Sequence, residues 1–196
     1  MAKPKKSAEI CVPLFGRHVR DFIFGVEDGL VSTLGVITGV SIGAAETNFV
    51  ILAGLVAAFT GATSMAAGTF LSTKSQKEYY DKVLSSKAKG VDGVERKEMR
   101  ALHAEHENPL KAAAVIWISF MLAAAIPIAP FYFAAPGSAL PLAIGLTTAA
   151  LFIFGSTKCF YTKRKWLAGG LEMVLIGALA AIVGFAIGSL FGIRAG

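Results

Sequence analysis

The sequence predicts an all-α integral membrane protein, a bundle of five transmembrane helices with its N-terminus in the cytoplasm. Three observations lead there. Of the 196 residues, 55% are hydrophobic and only 16% charged, a membrane balance rather than that of a soluble domain. The apolar residues gather into five runs, 22–45, 49–71, 112–135, 140–156 and 167–191, each about long enough to cross roughly 30 Å of hydrocarbon as a helix. All but one of the 19 Lys and Arg residues lie on one side of those runs, the exception being Arg194. The positive-inside rule makes that side cytoplasmic. Strands are a poor reading, because the runs lack the polar and apolar alternation of a membrane barrel.

Residues 1–21 form a cytoplasmic arm carrying Lys3, Lys5, Lys6, Arg17 and Arg20. No apolar stretch followed by a small-residue cleavage site occurs there, so no cleavable signal peptide is expected. Residues 22–73 hold spans one and two. The first span carries Gly25 and Gly29, then Gly35, Gly39 and Gly43, and the last carries Gly184, Gly188 and Gly192. Such smooth faces let helix backbones approach in lipid. They serve either packing within the chain or the seam of a homodimer, and Gly39 is the expected centre of that seam.

Residues 74–108 are the one long polar connection, a short cytoplasmic helical loop between spans two and three. Helical propensity is good over 94–107, and Gly90 and Gly93 interrupt the chain before it. Residues 109–196 hold spans three to five. Pro127 and Pro130 remove backbone donors and should kink or end the third span. The fourth run is the shortest and can extend to Tyr161. Cys11 and Cys159 both fall on the cytoplasmic side, where thiols stay reduced. The net charge of +6 is accounted for by basic flanks that orient helices and meet anionic headgroups. No nucleic-acid partner is expected.

Charge inside a span is expensive and marks function by default. Three acids stand there: Glu27, Asp28 and Glu172. The bland alternatives are that Glu27 faces headgroups and that Glu172 caps a helix or pairs with a lysine. Asp28 is favoured because Gly25 and Gly29 flank it and should loosen the backbone so that oxygen ligands converge. Depth adds a second argument, since a helix rises about 1.5 Å per residue. Asp28, Met65 on the second span and Glu172 on the last all fall roughly 8 to 12 Å inside the cytoplasmic boundary. Two carboxylates and a thioether at one level suit a divalent transition metal, the sulfur favouring softer ions.

In the loop, Glu95, Glu98, His103 and His106 recur on one helix face, with Glu105 and Glu107 beside them. That stripe is a reduced candidate metal-binding segment. A solvated charged helix interlaced with Lys97 and Arg100 explains it equally well. No phosphate-cradling loop appears, and no carboxylate and histidine set of a di-iron enzyme lies within the spans. Neither an enzyme nor a bound cofactor is therefore expected. Transport would draw on an ion gradient, and protons compete with metal for carboxylate oxygens.

The runs "GVEDGLVSTLGVITGV" at 25–40, "AGLVAAFTGATSMAAGTFLSTKSQ" at 53–76 and "GGLEMVLIGALAAIVGFAIG" at 169–188 resemble the vacuolar iron transporter family from residue 21 onward. The resemblance implies a homodimeric, proton-coupled exporter of ferrous iron, with manganese a second substrate, out of the cytosol. The protein would sit in the cell membrane of a prokaryote or a vacuolar-type membrane of a eukaryote. It places the pathway aspartate on Asp28 and the pathway methionine on Met65. Two departures stand out. Thr69 occupies the position where the family commonly carries glutamate, so Glu27 or Glu172 would have to compensate. The loop is also shorter than the glutamate-rich helical domain of the plant members. Both features leave room for an alternative, a membrane metal sensor or scaffold that does not transport.

Overall fold

The computed structural model describes residues 14–43, 46–85, 108–134, 136–162 and 165–192. Five helices account for nearly all of them: α1 (Leu14–Gly43), α2 (Thr47–Ser85), α3 (Pro109–Ile128), α4 (Pro136–Thr162) and α5 (Trp166–Phe191). No strand occurs among the described residues. Each helix contains a stretch long and apolar enough to cross a membrane, and the chain is a multi-pass membrane protein.

The local chemistry explains where the helices start and stop. The Asn108 Oδ1 accepts the Lys111 N–H at 3.2 Å, with Pro109 in the first turn of α3, satisfying a donor that a helix start leaves free. At the other end α3 carries Pro127 in its last turn, and the chain tightens into a 3₁₀ segment, Ala129–Tyr132, that contains Pro130. The two prolines end the helix as their missing donors require. α2 departs from the sequence expectation in length. Its 39 residues extend about 58 Å, roughly twice the hydrocarbon thickness. The helix thus runs through the first part of the polar connection and ends at Ser85. Lys74 and Glu78, one turn apart on this extension, are 3.8 Å apart and well exposed, a pair that adds only a few tenths of a kcal/mol.

α1 is the hub. It packs against all four other helices, most extensively against α3 and α5, while α2 leans mainly on α1 and α3, and α4 on α5. The spans of α1 and α3 are 44% and 50% buried, against 22%, 22% and 17% for α2, α4 and α5. The two central helices are therefore walled by three whose outer faces, with Leu52, Phe59, Ile153 and Leu179 exposed, meet lipid. One core cluster joins α1, α2, α3 and α4 through Ile37, Val50, Phe120 and Ala143. The other joins α1, α3, α4 and α5 through Val26, Leu30, Ala123, Leu151 and Met173.

Glycine makes the close contacts at the hub. A Cβ on Gly29 would lie 2.6 Å from the Phe120 carbonyl oxygen, and one on Gly25 would lie 2.8 Å from that of Ile116. Gly35, Gly39 and Gly43 face Ala180, Gly184 and Gly188 of α5 in the same manner. The glycine face of the first span thus meets α5 within the chain, while Gly35, Gly39 and Gly43 themselves stay half-buried along that contact. The reason is that α1 and α5 run parallel with their glycines in step, so each backbone fills the other's groove.

Candidate functional site

Asp28 and Glu27 stand on α1, both half-buried, about two turns into the span. Gly25 and Gly29 do not loosen the backbone there: α1 is helical from Leu14 to Gly43 without a break. They serve instead to bring α3 against α1, as the contacts to Ile116 and Phe120 require. Asp28 is consequently held on a rigid helix. Its own carbonyl accepts the Ser32 hydroxyl at 2.5 Å.

The register between α1 and α5 sets the depth of the acids. Position 35 abuts 180, 39 abuts 184, and 43 abuts 188. Carried back eight residues, the same step brings Glu172 level with Glu27 and Met173 level with Asp28. Val26 and Met173 share a core cluster, as this register demands. The three intramembrane acids thus lie within about one residue rise, roughly 1.5 Å, of one depth. They do not share one face. Glu172 is exposed on the outside of α5, whereas Glu27 and Asp28 are partly covered.

Met65 is half-buried and packs against the other core cluster, the one containing Phe120 and Ile37. Gly61, one turn along α2, abuts the Phe120 ring, and Phe120 also abuts Gly29. Met65 therefore lies a few ångströms from Gly29 toward the N-terminal end of α1, at a depth close to that of Asp28. Thr69, a further turn along, is half-buried, and its carbonyl accepts the Ser72 hydroxyl at 3.1 Å. Among the described residues no group of three or more His, Cys, Asp or Glu gathers as a metal cage. One chain thus offers the two partly covered carboxylates of Glu27 and Asp28 with a thioether close to their level, Glu172 standing exposed at the same depth. Glu95, Glu98 and His103, with Glu105, His106 and Glu107, lie outside the described residues.

An apolar groove of about 820 Å³ runs along the α1–α5 seam, lined by Ser32, Val36 and Val40 on one side and Leu179, Val183 and Ile187 on the other. Asp28 precedes Ser32 by one helical turn on the same face of α1, so the groove leads toward the carboxylate. Sequence reasoning did not anticipate this groove. Its signal is the parallel step of the two glycine series, read as a pair rather than separately. Sequence reasoning also passed over the buried hydroxyls of Thr33, Thr38 and Thr147, which stand out only as polar residues in otherwise apolar runs.

The VIT family model matches residues 19–104 and 91–189, nearly the whole described bundle. The chain belongs to the VIT family. Among relatives, a vacuolar iron transporter of Centaurea cyanus is 29% identical over 87% of this chain and 86% of its own length. Vacuolar iron transporter 1 of Arabidopsis thaliana is 27% identical over 87% of this chain and 84% of its own length. An uncharacterized protein of Methanocaldococcus jannaschii is 33% identical, with 84% of each chain covered. These alignments span nearly all of both partners, so the likeness covers the whole five-helix body of this VIT chain rather than one segment of it.

Proposed function

We propose that this VIT-family protein is a proton-coupled exporter that moves ferrous iron, or a similar divalent ion such as manganese, out of the cytosol. The observation that carries the reading is the half-buried carboxylate of Asp28 on the central helix of a chain whose relatives are named iron transporters. Glu27 and Glu172 lie at the same depth, and Met65 lies close to it. A carboxylate takes up metal only after losing its proton. Metal and proton thus exclude one another at Asp28, and alternate exposure of that carboxylate to the two sides exchanges one for the other. Met65 supplies a soft sulfur that favours transition metals over magnesium or calcium.

One chain gathers too few ligands to strip the water from a divalent ion. A homodimer that sets the Asp28 faces of two α1 helices against each other doubles the carboxylates and thioethers at that level. The largely apolar groove beside Asp28 suits burial against such a copy. In a eukaryote the membrane would be vacuolar, and in a prokaryote the cell membrane.

The test is metal flux. In proteoliposomes holding a pH-sensitive dye, wild type should move Fe²⁺ against a proton flow of opposite direction, and Asp28→Asn should abolish both. A second reading, a metal sensor or scaffold that does not transport, draws support from Thr69 standing where the family commonly carries glutamate. Metal binding with no flux in the same vesicles would establish it instead.

A further inference from the structure

Among the described residues, four side-chain hydroxyls are buried without a hydrogen-bond partner: those of Thr33, Thr38, Thr147 and Ser156. Thr33 and Thr147 are 0% exposed. A threonine inside a helix ordinarily donates to the carbonyl one turn back, as Thr60 does to Val56 at 2.7 Å and Thr157 to Ile153 at 2.8 Å. Within a bilayer no lipid can make up the missing bond, so two unpartnered hydroxyls at one depth are costly.

Thr33 and Thr147 lie at one level of the bundle. Gly25, Gly29 and Thr33 form one ridge of α1, and the first two face Ile116 and Phe120 of α3. The next step sets Thr33 beside position 124, one turn before Pro127. Pro127 is fully buried and has no N–H to give the carbonyl of Ala123. Helix carbonyls point toward the C-terminus, so that acceptor points to the level of Thr33. On α4, Thr147 stands one turn from Leu151 and one turn from Ala143, both buried. Leu151 shares a cluster with Leu30 and Ala123, while Ala143 shares one with Ile37. Thr147 therefore lies between the levels of Leu30 and Ile37, which is the level of Thr33. Alanines at 123 and 124 leave this junction lined by small side chains.

We propose that the junction of α1, α3 and α4 is a binding site for one water molecule, held by the hydroxyls of Thr33 and Thr147 and the Ala123 carbonyl. Two donors and a carbonyl acceptor match the two to four partners that a buried water takes. No carboxylate stands at this level on any of the three helices, so the ligand is a neutral molecule rather than a metal ion. The water bridges the helix that carries Asp28 to the proline-interrupted helix beside it, about one and a half turns beyond Asp28.

Two measurements on the full chain in bilayer discs test this. X-ray hydroxyl-radical labelling, which marks side chains next to bound water, should label Leu30 or Pro127 in wild type and drop several-fold in Thr33→Val. In thermal unfolding, Thr33→Val and Thr147→Val should each lower Tm, and the double variant should fall no further than the worse single one, because both remove the same water. Buried hydroxyls with no ligand give the opposite sign, since the isosteric methyl then leaves stability equal or raised. Valine variants that unfold at or above the wild-type Tm, effects that simply add, or no labelling of the wild-type junction would each overturn the proposal. Should a variant fail to insert, the wild-type labelling decides alone.

Discussion

Gly39 of α1 lies against Gly184 of α5 so closely that a Cβ on Gly39 would stand 3.0 Å from the Gly184 carbonyl oxygen. The contact joins two parallel helices within one chain. It also changes what a substitution at Gly39 reports, because any side chain there enters the fold before it reaches a second copy.

Gly39→Leu should therefore destabilise the folded chain itself, by about 1–3 kcal/mol or more from overpacking. Gly145, with nothing within 4 Å of its added Cβ, is the control. Gly145→Ala should be neutral or stabilising by up to about 1 kcal/mol, the helix-propensity gain. Unfolding in detergent at several protein concentrations checks both. A Gly39→Leu chain that unfolds like wild type and loses only its self-association would show that the α1–α5 seam is not the contact that matters.

Asp28→Asn keeps shape and hydrogen bonding while removing charge. Flux of Fe²⁺ and the coupled proton movement should both vanish, with expression and helix content unchanged. Glu172→Gln should lower apparent metal affinity if the level shared with Glu27 is used, and leave it unchanged if Glu172 only meets headgroups. Wild-type rates in Asp28→Asn liposomes would remove the basis of the exchange mechanism.

Met65→Leu conserves volume at a half-buried position and should cost less than about 1.5 kcal/mol. Its effect should appear in selectivity, as a smaller preference for Fe²⁺ over Mg²⁺ in competition uptake. Thr69→Glu, one turn along α2, restores the carboxylate that the family commonly has. It should raise metal affinity where Met65→Leu lowers it, and equal affinities in all three proteins would place α2 outside the pathway.

The loop acids should tune uptake rather than carry it, because Glu95, Glu98 and His103 stand among many basic residues that oppose cation capture. A chain with Glu95→Gln, Glu98→Gln and His103→Gln together should retain measurable flux with a higher half-saturating metal concentration. Complete loss of transport in a correctly folded triple variant would make the loop an obligatory station.

Much of this protein was legible in the sequence because a bilayer imposes one-dimensional rules. Runs of apolar residues must become helices, since backbone polar groups in lipid have no other partner. The five spans and the end of α3 at Pro127 and Pro130 were accordingly readable residue by residue. The common depth of Asp28 and Glu172 followed in the same way, because helical rise converts sequence number directly into depth. The end of the second helix was less legible: polar residues after Lys74 mark the membrane boundary, yet a helix continues past that boundary wherever propensity allows.

Direction around the helix axis belonged to the tertiary structure alone. Gly35, Gly39 and Gly43 make a smooth face whichever helix they meet, and only the packed bundle sets that face against Gly184 and Gly188. Glu172 shares a depth with Glu27 yet lies exposed on the far side of α5, which no rise per residue can reveal. Burial of Thr33 and Thr147 at one junction likewise required α1, α3 and α4 to be docked. Depth is a local property of a helix in a slab, whereas facing is a relation between helices, and in lipid small residues permit many such relations before packing selects one.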